Sequence, residues 1–276
     1  MTTYDPLLLA QLTGLLMVVG AFAGVLAGLL GVGGGIVLVP AFYYVFATLG
    51  FESTQLMQLC VATSLATIIV TSMRSLSSHN KKGAVEWPIL WGWGPGIAVG
   101  AALGVLVVAQ LDTVTLQIIF GALAFSVGLY MALGKAHWRL GESLPVGLTR
   151  ALISPWIGGL SVLIGVGGGS FGVPLMTLHG VPIHRAVGTA AGFGLLIAVP
   201  SVVGFFLVEM PHEVRPPFTL GSVNLAAFAV IVGMTLLTAP VGARLAHRLD
   251  PAALRRVFAV FLLLVATNML RKAIFG

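Results

Sequence analysis

Charge is scarce in this chain. Only 8% of its 276 residues are Asp, Glu, Lys or Arg, and 58% are hydrophobic. A soluble domain of this length carries about 25% charge, so a soluble fold is excluded. Cysteine is scarcer still: a single Cys60 rules out an intramolecular disulfide and a cysteine-rich metal site. The six histidines are scattered, and His179 and His184, five apart with no other ligand beside them, lack metal-ligand spacing. There is no G-x-x-x-x-G-K-[ST] run, which excludes ATP hydrolysis by a P-loop. Neither a Cys/His arrangement nor a pair of mid-segment carboxylates is present, so no catalytic residue, metal or cofactor is expected. Asp5, Glu52, Glu86, Asp112, Glu142, Glu209, Glu213 and Asp250 all fall at segment ends or in loops. A proton or cation relay places a carboxylate within a span. Its absence points away from cation transport and toward an anionic substrate.

What the chain has is long apolar segments. Ten are read, at roughly 7–30, 36–49, 55–75, 87–109, 114–133, 146–164, 170–178, 186–208, 220–245 and 253–274. The expected fold is an all-α integral membrane protein lying in the lipid bilayer. The second and seventh segments are short for a span, which takes about 20 residues. The first lacks a basic flank and is followed by more spans, so it reads as a span rather than a cleaved signal. A formal net charge of +6 could suggest nucleic acid. The basic residues sit between spans, where the positive-inside rule places them, and nucleic-acid binding is rejected.

One motif is written twice. Residues 31–40 read Gly31-Val32-Gly33-Gly34-Gly35-Ile36-Val37-Leu38-Val39-Pro40, and residues 165–174 read Gly165-Val166-Gly167-Gly168-Gly169-Ser170-Phe171-Gly172-Val173-Pro174. Further matches pair Val61-Ala62-Thr63 with Val187-Gly188-Thr189, Gly104 with Gly242, Leu111-Asp112 with Leu249-Asp250, and Phe120 with Phe258. The chain thus reads as a first repeat over 1–134, a cytoplasmic linker over 135–145 and a second repeat over 146–276. Five segments per half imply inverted insertion, as in many secondary transporters. If segments one and two together return to the starting side, and likewise six and seven, the 14 Lys and Arg split 11 to 3 between the two sides. If each pair is one broken helix, the split is 9 to 5. The positive-inside rule prefers the first arrangement, with both termini outside.

Glycine runs allow left-handed backbone and leave amides uncovered. A helix that starts after such a run presents free N–H groups and partial positive charge, and together these make an anion site. Gly33, Gly34, Gly35, Gly167, Gly168 and Gly169 are therefore the candidate binding residues. The glycines spaced at fours, Gly20, Gly24, Gly28 and Gly92, Gly96, Gly100, Gly104, read instead as helix-packing stripes. Thr63 and Thr189 occupy matching places, and their hydroxyls either donate to an anion or bond back to the preceding turn. Asp112 and Asp250 precede helices and are expected N-caps. Arg74 and Arg185, with His184, lie at segment ends, as an anion vestibule on the cytoplasmic side or as snorkelling anchors.

The duplicated G-x-G-G-G-x-x-x-x-P and the A/G-T element that follows it resemble the TauE/SafE family of sulfite exporters, also called TSUP permeases. The resemblance covers both halves. It implies a multi-pass protein of a bacterial inner membrane that exports sulfite or a sulfonate such as sulfoacetate. An importer of sulfonate or thiosulfate, and an anion channel, are the alternatives. Ser170 stands where the first copy has Ile36, so the second half offers a different donor set and Ser170 joins the candidates.

Overall fold

The computed structural model describes residues 6–30, 35–134, 138–208, 210, 215–246 and 251–275. Ten helices lie among them: α1 (Pro6–Leu30), α2 (Gly35–Thr48), α3 (Leu56–Lys81), α4 (Trp87–Val108), α5 (Thr113–Leu133), α6 (Gly147–Leu163), α7 (Gly169–Leu178), α8 (Ile183–Leu207), α9 (Leu225–Ala246) and α10 (Pro251–Phe275). Seven of these are long and apolar enough to cross a membrane, α1, α3, α4, α5, α8, α9 and α10. At 14 and 10 residues, α2 and α7 are the short apolar pair that the segment lengths predict. Exposed Leu207, Leu237, Val257 and Leu264 show the outer surface to be apolar, as lipid contact requires.

Local signals explain several boundaries. The Asp112 carboxylate accepts from the Thr115 amide at 2.7 Å and caps α5 as expected. That backbone bond holds its carboxyl below the ordinary value. Asp250 lies outside the described residues. Pro88 sits in the first turn of α4, where its missing N–H costs nothing. α6 ends in a Schellman arrangement: Gly165 takes φ +62°, its amide bonds Val162 O, and the Val166 amide bonds Ser161 O. The chain before α9 is a tight antiparallel hairpin, β1 (Thr219–Leu220) and β2 (Val223–Asn224), where a single apolar segment from 220 is expected from hydropathy.

The centre of the bundle is α3 against α8. In their most apolar windows 72% and 56% of residues are buried, against 22–44% in the other five long helices. Around this pair, α1 packs on α9, α4 on α6 and α5 on α10. Exchanging α1–α5 with α6–α10 turns these neighbours into one another: α1·α9 becomes α6·α4, α3·α9 becomes α8·α4, α2·α3 becomes α7·α8, and α3·α8 and α5·α10 map onto themselves.

The spaced glycines make the outer seams. A Cβ on Gly20 or Gly24 would meet Met234, Ile231, Thr235 and Thr238 of α9. A Cβ on Gly96, Gly100 or Gly104 would meet Ser154, Pro155, Gly159 and Val162 of α6. In lipid the hydrophobic effect does not favour helix pairing, so close backbone approach and its dispersion contacts must supply the attraction.

Candidate functional site

Both glycine motifs reach the central α3–α8 pair. Gly31–Gly34 lie outside the described residues, and with them the candidates Gly33 and Gly34. Gly35, the first residue of α2, is described and buried. A Cβ there would lie 2.9 Å from Gly165 O and 3.1 Å from Val166 Cα, so the end of the first motif abuts the start of the second. Ser64 of α3 joins them. Its hydroxyl donates to Gly165 O at 2.7 Å, with Gly35 O at 3.4 Å. Gly165 itself is wedged between α2 and α3, where a Cβ would lie 2.6 Å from Val39 and 3.0 Å from Val61 Cα.

The second motif continues onto α8. Residues 165–170 are all buried, so Gly167, Gly168, Gly169 and Ser170 lie inside the protein at the start of α7. Gly168 precedes α7, and a Cβ on it would overlap Phe193 and fall 2.6 Å from Ala190 O and 2.9 Å from Gly194 N. Gly167 faces Ile68, which also flanks Gly35 and Gly194. The first-turn amides of α7 have no partner within their own helix, as at any helix start. Gly35 and the 165–170 run, together with Ser64, Ile68, Phe193 and Gly194, thus form one closely packed crossing beside the middle of α3 and α8.

Thr63 and Thr189 each hold a stretch of backbone from another element. The Thr63 hydroxyl accepts from the backbone amide of Asn224 at 3.0 Å, and the Thr189 hydroxyl accepts from that of Glu86 at 2.9 Å. The two contacts are reciprocal: a threonine of α3 holds the chain just before α9, and a threonine of α8 holds the chain just before α4. Asn224 is an N-cap, its Oδ1 accepting from Ala227 N at 2.8 Å while Nδ2 donates to Pro217 O and Thr219 Oγ1. Other hydroxyls on α3 do bond backward, Thr67 to Ser64 O and Thr71 to Thr67 O. Arg74 is exposed toward the end of α3, and Arg185 pairs with Glu86, so the two vestibule candidates have different surroundings.

Ser64 belongs to the site without being marked by either glycine motif; its signal in the sequence is a hydroxyl beside Thr63 in an otherwise apolar segment. Gln58 is a second residue outside both motifs. Buried in α3, it donates to Val108 O at 3.0 Å and Leu111 O at 2.7 Å, closing the end of α4. Ser64→Ala leaves the Gly165 carbonyl without that donor, which costs about 1–3 kcal/mol in a buried site. The expected result is a lower Tm in detergent together with transport reduced several-fold. An unchanged Tm and rate would show that the hydroxyl does not hold the crossing.

A helical bundle with spanning-length apolar helices and two glycine-broken segments meeting at its centre is a multi-pass membrane protein with the parts of a transporter. The chain belongs to the family described as sulfite exporter TauE/SafE, which it matches over residues 16–269. It is 31% identical to a probable membrane transporter protein of Haemophilus influenzae, over 94% of this chain and 98% of that protein. It is 26% identical to the probable membrane transporter protein YunE of Bacillus subtilis, over 95% and 98% of the two. A probable membrane transporter protein of Methanocaldococcus jannaschii is 24% identical over 93% and 94%. No solved structure matches the chain. The protein is accordingly a membrane transporter, from a family that is not one of enzymes.

Proposed function

We propose that this protein is a secondary exporter of small sulfur-containing anions, sulfite or a sulfonate such as sulfoacetate, and that the anion binds near the midplane at the glycine crossing. The observation that carries this is the approach of Gly35 to Gly165 and Val166, with Ser64 bonded to Gly165. It brings the start of α2 against the glycine run that leads into α7. Helix starts with uncovered amides suit anion oxygens, and irregular backbone at membrane depth belongs where it lines a transport path or is buried in protein. The ligand groups are Gly33, Gly34, Gly35, Gly167, Gly168 and Gly169, with the hydroxyls of Thr63, Ser170 and Thr189 as added donors.

The two halves are inverted repeats in this reading. Supporting it are the neighbour pairs that exchange under α1–α5 for α6–α10 and the reciprocal bonds of Thr63 and Thr189. The 11-to-3 distribution of Lys and Arg supports both termini outside and the loops around 74–87, 134–150, 179–185 and 244–256 in the cytoplasm. Uptake by proteoliposomes of labelled sulfite, sulfoacetate, taurine and sulfate tests the substrate class. Saturable uptake of sulfite or sulfoacetate with counterflow is expected. Uptake of none of the four, or conduction without saturation, would overturn it.

A further inference from the structure

The two reciprocal seams are closed by different bonds. At one, Asn224 is fully buried and its side-chain amide is spent within its own turn and cap. At the other, the segment 79–86 lies along the first turns of α8. The Glu86 amide donates to Thr189, and a Cβ on Gly188 would fall 2.5 Å from Ala84 O and 3.1 Å from His79 Cβ. This seam is closed by an ion pair between Glu86 and Arg185, whose side chains are 28% and 48% exposed. Arg185 is in the first turn of α8, the helix that carries Ala190, Phe193 and Gly194 against Gly168. From Arg185 to Ala190 is about 7.5 Å of helix rise.

Resting on the anion-transport reading, we propose that Arg185 receives the anion on its way to the glycine crossing and that Glu86 is a tethered competitor for it. The arriving anion takes the guanidinium from the Glu86 carboxylate and frees the 79–86 segment from α8. A guanidinium presents paired N–H donors that suit a carboxylate and a sulfur oxyanion alike. A partly exposed pair is held weakly, so a free anion can displace it. The carboxylate stays tethered beside Arg185, so it returns once the anion has moved on, and the cation does not become a trap.

The test is initial-rate transport of labelled sulfite and sulfoacetate by the full chain in proteoliposomes, resolved into KM and maximal rate. Glu86→Gln removes the competitor, and KM is expected to fall by about twofold to fivefold. Arg185→Gln removes the receiver, and KM is expected to rise roughly tenfold or more. Glu86→Asp and Arg185→Lys should fall between wild type and these, and the double Gln variant should follow Arg185→Gln. A pair that merely holds the fold would move both single variants the same way. KM shifts of opposite sign are therefore the signature. Shifts of the same sign, or no shift in either variant, overturn the proposal. If Arg185→Gln does not fold, the sign of the Glu86→Gln shift decides alone. If the wild type carries neither anion, the transport reading fails and this proposal falls with it, whereas a working wild type with unmoved variants defeats the gate alone.

Discussion

Gly100→Val is expected to yield at least tenfold less monodisperse protein on size exclusion in detergent, while Gly14→Ala elutes as wild type. A Cβ on Gly100 would overlap the Pro155 carbonyl and lie 2.5 Å from Pro155 Cα. From the other side, a Cβ on Gly158 would overlap Ile97 O and fall 2.7 Å from Ala101 N. The backbones of α4 and α6 therefore touch, with glycine on both faces. An overpacked methylene in a core that can yield costs about 1–3 kcal/mol. Here the obstacle is main chain, so relief requires the helices to separate, and the contacts at Gly96 and Gly104 go with it. That loss is large beside a total stability of about 5–15 kcal/mol. Gly14 has nothing within 4 Å of its added Cβ, so alanine there changes only helix propensity, in the favourable direction. Normal recovery of Gly100→Val would mean that the α4–α6 seam does not hold the bundle together.

The second large effect concerns energy. Efflux of a labelled monoanion from proteoliposomes at equal pH should rise steeply as a potassium–valinomycin potential is made more negative inside. Among the described residues, Glu52, Glu86, Asp112 and Glu142 all lie outside the helices, which leaves no carboxylate relay for protons within a described span. The membrane potential alone suffices. It is worth about 2.3 kcal/mol per charge per 100 mV, so about 150 mV gives a monoanion roughly 3.5 kcal/mol, a gradient of a few hundredfold. Sulfite itself can carry a proton, so a response to pH alone leaves the driving force open. Efflux that ignores the potential yet follows an imposed pH gradient would show electroneutral transport and refute this.

Much of the fold was legible because apolar runs and glycine breaks are local signals. The short α2 and α7, the packing stripes and the Asp112 cap are each written within a few residues. Boundaries failed where helix and hydropathy part company. α3 runs on to Lys81 past Arg74, because a helix emerging from the apolar layer becomes polar without unwinding. α8 begins at Ile183, just after Pro182, with His184 and Arg185 in its first turn. The hairpin at 219–224 reads as part of a span because Leu220 and Val223 are as apolar as the helix they precede. In the site, the matched Thr63 and Thr189 were visible as a pair, but their partners were not. Asn224 and Glu86 lie 161 and 103 residues away, and a backbone amide leaves no mark in the residue types. Ser64 was visible only as one hydroxyl among several, since its partner is also main chain.

The pairing of α1 with α9 has a consequence for how the protein is made. α1 leaves the ribosome ahead of α9, and its Gly20–Gly24 face belongs against Ile231–Thr238, about 200 residues later. At 5–20 residues per second that surface is born roughly 10–40 s after its partner. Thr63 likewise waits for Asn224, and Glu86 for Thr189. The first half is thus inserted before these seams can close, with contacts of its own such as α2 on α3 and Gln58 of α3 on the end of α4. These seams therefore close only when α8 and α9 have been made, in a late, concerted step rather than with two halves maturing one after the other.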